Sequence, residues 1–483
     1  MREELIQERL KKLEALKIQG VDPYPITVKR THEIAAALDS FSSLQRAKKK
    51  VSIVGRIMAF RDQGAVIFLD IADESGTLQA VCKKDTTANF AVLRDSVDVG
   101  DFIGATGTLF ITKRGQKSVE VKNFQIVTKS IRPIPSQWFG IEETDTRLRN
   151  RYLDILLHPE TKELFRKKAV FWRTLRDALL DDGFLEVENP VLETVPGGAE
   201  AEPFKTHHNA LDVDFFLRIS LELPLKKLLV AGYEKVFEIG RIFRNEGIDA
   251  EHLQDYTQLE FYWAYHDYRD LMKMVEKLFK KTIKNVTGSL VTMRDGNKIQ
   301  WATKWKTVDY CKEFEKANQL DPTTVSRDSL FNHARKLGLT PEEHAGRGRL
   351  IDMIFKKTVR TKLIQPCFLI NPPVDIEPLA KRSVANPAVV ERFQVVAAGT
   401  ELGKGFSELN DPVDQRERFQ QQAQLRLQGD AEAQFMDESF VEALEYGMPP
   451  AAGFGVSERL FSVILDKPVR ETVIFPLMRP KKQ

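Results

Sequence analysis

A run of short segments with β-strand character occupies residues 51 to 129, and it constrains the fold more than any other feature of the chain. Apolar and polar residues alternate within each segment, and turn signals separate the segments, as in AVIFLDIADESGTLQAVCKK. About five strands within roughly 80 residues are typical of a small closed barrel of the OB type. We therefore predict a five-stranded OB-fold β-barrel over residues 51–130.

The whole chain is too long for a single hydrophobic core. It has 483 residues, of which 42% are hydrophobic and 29% are charged, so its composition is that of an ordinary globular protein. We predict an N-terminal helical extension at 1–50 and a linker rich in proline at 131–145. Residues 146–483 mix helical and strand patterns, which predicts an α+β domain. Within it, 266–350 is expected to be a mostly helical insertion.

Charge and cysteine content narrow the functional classes. The net charge is only +3, so binding to nucleic acid would need local basic patches rather than a basic chain. The three cysteines, Cys82, Cys311 and Cys367, lack the spacing of a metal site or a disulfide framework. No apolar run approaches the length of a membrane span, and no apolar signal region follows the N-terminal methionine. These features predict a cytoplasmic protein that does not enter a membrane.

The predicted barrel carries a candidate binding face. Ile67 and Leu69 alternate with Phe68 along one strand, so Phe68 is expected on the outer face. Gln79 of the next strand is predicted to point outward as well, and Arg61 lies nearby. An exposed aromatic ring beside an amide suits stacking on a splayed nucleic-acid base and hydrogen bonding to its edge. The alternative is an ordinary surface phenylalanine.

A second strand pair, on either side of the segment FRNEGIDAEHLQD, gathers charged and aromatic residues. The flanking segments YEKVFEIGR and YTQLEFYWAY both alternate, which predicts a β-hairpin with its connection centred near Gly247. One face of this hairpin is predicted to carry one guanidinium, two carboxylates and two phenol rings: Arg244, Glu246, Tyr256, Glu260 and Tyr262. This set predicts a ligand site, the alternative for Arg244 and Glu246 being a structural ion pair.

Three segments of the large domain resemble the signature motifs of a known family. TKELFRKKAVFWRTLRDALLDDGFLEVENPVL is similar to motif 1, FRNEG with its hairpin to motif 2, and AAGFGVSERLFSVILDKPVRETVIFPLMRP to motif 3 of the class II aminoacyl-tRNA synthetases. The resemblance covers nearly the whole chain and lies in the aspartate, asparagine and lysine subclass, nearest its lysine-specific members. It implies a catalytic domain built on an antiparallel sheet flanked by helices. It also implies a homodimer formed through the motif 1 helix and strand.

The resemblance implies a reaction and a set of nucleotide-binding residues. The expected enzyme activates L-lysine with ATP to lysyl-adenylate and transfers lysine to the 3′ end of lysine tRNA. Arg244 is expected to bridge the carboxylate of the amino acid and the α-phosphate, and Arg459 to clamp the γ-phosphate. Glu246 is expected on the adenine amino group, Tyr256 stacked on the adenine, and His252 near the outer phosphates.

The same resemblance implies how lysine is selected. Glu222 and Glu408 are expected to face the ε-ammonium, with Glu260 on the α-amino group and Tyr262 beside the side chain. Two acids in a desolvated pocket repel each other unless a cation lies between them, which favours lysine over aspartate. Arginine must then be rejected by shape. The remaining residues expected to contact lysine are Gly198, Arg244 and Lys404.

The sequence departs from the family pattern in places that concern the metal and the activity. Relatives use two glutamates for Mg²⁺; Glu401 matches one, but Gln394 stands at the other position, and Lys404 replaces an asparagine. Motif 3 is about one residue short of the usual glycine-rich run. An alternative function is therefore a non-catalytic or altered-specificity paralogue that binds tRNA or another partner. Under the main interpretation, the anticodon is read by Arg61, Phe68 and Gln79.

Overall fold

The computed structural model describes residues 2–135, 142–247, 253–430 and 433–480. The chain forms two compact units, Met1–Glu143 and Thr144–Gln483, which we call the N-terminal unit and the C-terminal unit. Across the described residues, no helix has both the length and the apolar character needed to cross a membrane.

The N-terminal unit consists of short helices and a closed barrel. The strands close in the order β1, β2, β3, β5, β4, with β3 and β5 parallel and the other neighbours antiparallel. This arrangement confirms the predicted OB-fold. Its elements are α1 (Arg2–Ile18), α2 (Ile34–Asp39), α3 (Phe41–Arg46), β1 (Lys50–Asp62), β2 (Val66–Ala72), β3 (Thr77–Lys83), α4 (Phe90–Ser96), β4 (Phe102–Ile111) and β5 (Lys117–Thr128).

Apolar side chains at alternate positions of the strands fill the interior of the barrel. Ile67 and Leu69 of β2 are fully buried in its core, as the sequence predicts, while Phe68 between them is half-buried. Gln79 pairs with Asp70 and lies outside the barrel core that contains Leu78 and Ala80, so it is on the predicted outer face, but its side chain is only 8% exposed. β3 is paired on both sides, and the hydroxyl of Ser118 on β5 donates a hydrogen bond of 3.0 Å to Oε1 of Gln79.

The C-terminal unit mixes helices and strands along the chain, which confirms the α+β prediction. Its helices are α5 (Thr144–Arg149), α6 (Arg151–Leu157), α7 (Pro159–Asp181), α8 (Glu222–Val230), α9 (Tyr268–Thr287), α10 (Tyr310–Asn318), α11 (Arg327–Lys336), α12 (Arg347–Thr358), α13 (Pro412–Leu427), α14 (Glu438–Glu445) and α15 (Glu458–Ile464). Its strands are β6 (Leu185–Glu186), β7 (Leu192–Glu193), β8 (Lys205–His208), β9 (Val213–Leu217), β10 (Lys235–Phe243), β11 (Asp255–Ala264), β12 (Val291–Arg294), β13 (Asn297–Gln300), β14 (Lys306–Asp309), β15 (Cys367–Ile370), β16 (Arg392–Ala397), β17 (Thr400–Ser407) and β18 (Ala451–Ser457).

One large sheet organises this unit. Its strands follow the order β14, β15, β16, β17, β18, β11, β10, β6. The pairs from β15 to β10 are antiparallel, whereas the outermost pairs, β14 with β15 and β10 with β6, are parallel. The predicted antiparallel sheet flanked by helices is therefore confirmed.

The two faces of the sheet bury different sets of residues. Leu259 and Phe261 of β11 pack with apolar residues of α7 and α9, among them Leu175 and Leu271, in the main core. Burying an aliphatic or aromatic side chain of this size stabilises the fold by roughly 1.5–3 kcal/mol. Because side chains alternate along a strand, this packing directs Glu260 and its neighbours on β11 to the opposite face.

Candidate active site

A cavity of about 880 Å³ opens on the face of the sheet to which Glu260 points. Most of the residues predicted from the sequence line this one cavity: Gly198, Glu222, Arg244, Glu246, Tyr256, Glu260, Tyr262, Gln394, Glu401, Lys404 and Arg459. Glu408 lies beside them without forming part of the cavity wall. The prediction for His252 lies outside the described residues, and the predicted anticodon residues belong to the N-terminal unit.

Strand alternation and glycines create the floor of the cavity. Glu260 and Tyr262 of β11 lie opposite Gly455 and Gly453 of β18 in the antiparallel ladder. A Cβ atom at Gly453 would collide with the ring of Tyr262 and with the carboxylate of Glu408. The glycines of motif 3 therefore leave the room in which the larger side chains of neighbouring strands lie.

Glu260 is held by four hydrogen-bond donors. Its Oε1 accepts from Oγ of Ser220 at 2.8 Å, the backbone N–H of Leu221 at 3.0 Å and Nε2 of Gln258 at 2.7 Å, and its Oε2 accepts from the hydroxyl of Tyr262 at 2.9 Å. Burial raises the pKa of Tyr262 well above its ordinary value, so the phenol stays neutral and remains a donor. This network fixes a buried carboxylate in one orientation, as recognition of a substrate amine requires.

Glu222 of the cavity wall and Glu408 beside it hold a lysine of the chain itself. Nζ of Lys226 donates to Oε1 of Glu222 at 2.6 Å and forms an ion pair with Oε2 of Glu408. Both acids and the lysine are almost completely buried. Oε1 of Glu408 has no hydrogen-bond partner among the described residues. We call Glu222, Lys226 and Glu408 the acid subsite.

Lys226 is a site residue that sequence reasoning missed. It lies one helical turn after Glu222 on α8, and its ammonium is 5.2 Å from the ring centroid of Phe406 and 5.9 Å from that of Phe440. The spacing of Glu222 and Lys226 by four residues is a readable signal for a pair on one helix face. The contact with Glu408 could not be read in this way, since it joins distant parts of the chain.

Another part of the cavity wall is formed by the β10–β11 hairpin and α15. The guanidinium of Arg244 lies 5.7 Å from the ring centroid of Tyr256, and its Nε donates to the carbonyl of Ile219 at 3.2 Å. Arg459 lies in the first turn of α15, where Ser457 caps the helix by accepting from the backbone N–H of Arg459. Two guanidinium groups and an aromatic ring in one wall suit a nucleotide with its phosphates.

Lys404 takes part in a second charged cluster. Its Nζ lies 2.8 Å from Oε2 of Glu377, and Nε of Arg392 lies 3.4 Å from the same oxygen. Burial alone would raise the pKa of Glu377, but Lys404 and Arg392 hold it below its ordinary value. Neither Glu377 nor Arg392 was predicted from the sequence, because no local pattern links them to Lys404.

Gln394 and Glu401 are neighbours, as their predicted shared role requires. Nε2 of Gln394 donates to Oε2 of Glu401 at 2.6 Å. Burial would raise the pKa of Glu401, but cations led by Arg392 and Arg459 lower it below its ordinary value. The described residues contain no cluster of three or more histidine, cysteine, aspartate or glutamate side chains that could hold a metal ion. At this point the protein thus offers one carboxylate and one amide.

Comparison with known families agrees with this geometry. The model described as tRNA synthetases class II (D, K and N) matches residues 143–479, and the model of an OB-fold nucleic acid binding domain matches residues 51–133. The chain belongs to the class II tRNA synthetases of the D, K and N group, which confirms the family expected from the three motifs.

Several curated relatives are similar over their full length and share one name. The lysine–tRNA ligase of Carboxydothermus hydrogenoformans is 42% identical over 482 residues, which cover 99% of this chain and 98% of that protein. The lysine–tRNA ligases of Moorella thermoacetica and Roseiflexus castenholzii are each 42% identical, with 99% of both chains covered.

Proposed function

We propose that this chain is a lysine–tRNA ligase, which activates L-lysine with ATP and transfers it to the 3′ end of lysine tRNA. The observation that carries the proposal is the acid subsite, where two buried carboxylates already hold one lysine ammonium. Such a site favours a substrate with a cationic side chain, because burying an unpaired acid is costly. The lysine–tRNA ligases that are similar over their full length support the same assignment.

The first half-reaction joins two anionic groups. The carboxylate oxygen of lysine attacks the α-phosphorus of ATP, the bond to the leaving pyrophosphate breaks, and lysyl-adenylate forms. Catalysis here depends on positioning and charge stabilisation. We assign Arg244 to the carboxylate and α-phosphate, Arg459 to the γ-phosphate and Tyr256 to stacking on the adenine. Glu246 is assigned to the adenine amino group.

The residues that we assign to the lysine substrate are mainly the buried carboxylates. Glu260, fixed by four donors, is assigned to the α-amino group, and Glu222 and Glu408 to the ε-ammonium. Gly198 has a φ of +82°, and a Cβ there would come within 2.9 Å of Cβ of Glu222. Glycine at this position therefore leaves space beside the substrate. Lys404, with Tyr262, completes the assigned lysine-binding set.

In the second half-reaction, the terminal hydroxyl of lysine tRNA attacks the lysyl carbonyl and AMP leaves. We assign anticodon recognition to Phe68, Gln79 and Arg61 of the barrel. Phe68 is half-buried and Arg61 is exposed, so both have surface available for a base. Gln79 is largely buried, and its amide nitrogen is the group available for recognition, since its Oε1 already accepts from Ser118.

Mg²⁺ is the cofactor that this chemistry favours. It prefers oxygen ligands and would neutralise phosphate charge, and the carboxylate of Glu401 would hold one ion in the cavity. Gln394 turns its amide nitrogen toward Glu401, so its carbonyl oxygen is the one ligand atom that it could supply. We therefore propose weaker metal binding than in relatives with two glutamates.

A homodimer and a cytoplasmic location complete the proposal. Apolar side chains at the end of α7 and in the strands that follow are left partly exposed in the single chain, with Leu180 at 47%, Leu185 at 46% and Leu192 at 45%. Exposed apolar residues on a helix and on the two short strands that follow it suit a contact with a second copy. Free thiols at Cys82, Cys311 and Cys367 suit a reducing compartment.

The test is aminoacylation of tRNA. The chain would be incubated with ATP, total tRNA and labelled lysine, aspartate or asparagine, and acid-precipitable label would be counted. We expect ATP-dependent label from lysine alone. Label from another amino acid would favour an altered-specificity paralogue, and none with any amino acid would favour the non-catalytic alternative.

A further inference from the structure

The ammonium of Lys226 contacts both acids that the proposed function assigns to the ε-ammonium of the substrate. It is fully buried, hydrogen bonded to Glu222 and ion-paired with Glu408. The matched neighbour Lys227 differs, because its side chain is half-buried and its Nζ donates to Oγ of Ser439 at 2.8 Å. Of these consecutive lysines, only Lys226 reaches the acids.

The charges of the acid subsite sum to one negative charge when Glu222, Lys226 and Glu408 are all ionised. The nearest other ionisable groups are Glu260 and Tyr262 on β11, and Glu377 with Lys404. Glu260 is satisfied by its four donors, the phenol of Tyr262 is neutral, and Glu377 is matched by Lys404 and Arg392. The acid subsite therefore carries the charge that a substrate ammonium would meet.

We propose that Lys226 is a built-in counter-ion, a positioning residue that favours the charged forms of Glu222 and Glu408, so that the acid subsite presents one net negative charge when the substrate ammonium binds. This inference rests on the proposed function and deepens it. Binding of one lysine then makes the buried subsite electrically neutral. A neutral side chain leaves it negative, and aspartate makes it more so.

The physical reason is the repulsion between two buried acids. Burial raises the pKa of Glu222 to about 7 and that of Glu408 well above its ordinary value, and Lys226 opposes this rise without cancelling it. Burial alone would lower the pKa of Lys226, but the two acids raise it above its ordinary value, so its charge is retained. Without Lys226, two adjacent carboxylates would hold a shared proton to a still higher pH, as like charges at close range do. Lysine would then have to expel that proton in order to bind.

The charge count predicts that removing Lys226 restores lysine preference in a variant that has lost one of the two acids. Glu222→Gln leaves Glu408 and Lys226, a neutral pair, so the preference for lysine over methionine in ATP–pyrophosphate exchange should fall by about a hundredfold. Adding Lys226→Met restores one negative charge. At pH 8.5, where the remaining acid ionises more readily, the double variant should prefer lysine over methionine at least tenfold more strongly than Glu222→Gln does. The control pair is Glu222→Gln with and without Lys227→Met, which should not differ.

The pH profile gives a second readout. In Lys226→Met, the acids should retain a proton to higher pH. As the pH is lowered, the lysine KM of this variant should therefore begin to rise at a pH at least one unit above the pH at which the wild-type KM rises. Below that pH the lysine KM of the variant should be at least about tenfold higher than that of the wild type, while the ATP KM is unchanged. Lys226→Arg keeps the cation and should keep the wild-type profile.

The outcomes separate this inference from the proposed function. If the wild type shows no lysine-dependent exchange, the proposed function fails first. If the wild type is active but Lys226→Met worsens Glu222→Gln, or shifts the lysine KM equally at every pH, Lys226 is structural and the inference is overturned. A lower lysine KM in Lys226→Met with an unchanged pH profile would also overturn it, since Lys226 would then compete with the substrate. The double variant keeps the test available if Lys226→Met alone does not fold.

Discussion

The outer face of the barrel and the acid subsite both carry ion pairs, but they differ in burial. On the barrel, the guanidinium of Arg61 makes two hydrogen bonds of 3.0 Å to the carboxylate of Asp70, and the two side chains remain 49% and 27% exposed. In the acid subsite, the side chain of Lys226 is 0% exposed between Glu222 and Glu408. Exposed pairs contribute little free energy, whereas breaking a buried pair costs several kcal/mol. The effects of substitutions in the two regions should therefore differ in size as well as in kind.

The largest effect is expected from Glu408→Gln. This variant keeps the shape of the side chain and removes one buried charge, and the loss of one partner from a buried pair costs roughly 3–5 kcal/mol. The lysine KM in ATP–pyrophosphate exchange should rise at least about a hundredfold, with the ATP KM nearly unchanged. Glu445→Gln, in an exposed pair with Arg416, is the matched control. An unchanged lysine KM would mean that Glu408 faces something other than the substrate.

Phe68→Ala should have the next largest effect, and on a different step. Stacking on one base is worth about 1–3 kcal/mol, so tRNA charging should fall roughly ten- to a hundredfold. Lysyl-adenylate formation should remain near the wild-type rate, because Phe68 does not belong to the unit that contains the cavity. Measuring exchange and charging on the same preparation separates the steps. Equal damage to both would make Phe68 a structural residue.

Gln394→Glu tests the metal at the nucleotide end of the cavity. A second carboxylate beside Glu401 offers an anionic oxygen where the chain now has a neutral amide. The Mg²⁺ concentration that gives half-maximal exchange should fall by up to about tenfold, because charge count sets affinity for hard cations. Gln394→Asn, which keeps the amide, serves as the control. The same magnesium dependence in Gln394→Glu as in the wild type would place the metal elsewhere.

The smallest effect on stability is expected on the barrel face. Arg61→Ala removes an exposed pair, so the free energy of unfolding measured with urea should change by less than about 1 kcal/mol. Charging should fall several-fold if Arg61 contacts the anticodon. A loss of several kcal/mol in stability would show that this exposed pair contributes as much as a buried one, and would contradict the comparison between the two regions.

Local periodicity made much of the fold and of the cavity predictable. The alternation in YTQLEFYWAY placed Tyr256, Glu260 and Tyr262 on one face of the sheet, and the structure lines the cavity with all three. Periodicity could not reveal that Lys226 meets Glu408, because that contact depends on how α8 packs against the end of β17. Periodicity also did not reveal that Gln79, although on the outer face, is largely buried, since its hydrogen-bond partner Ser118 lies on β5, distant in the chain.

ATP–pyrophosphate exchange with each of the twenty amino acids tests the central claim most directly, because it measures adenylate formation without tRNA. A cavity that selects its substrate through the buried charge of Glu222 and Glu408 should support exchange with lysine alone, and neither methionine nor aspartate should support it. Exchange with a neutral or acidic amino acid at a rate equal to that with lysine would contradict the account.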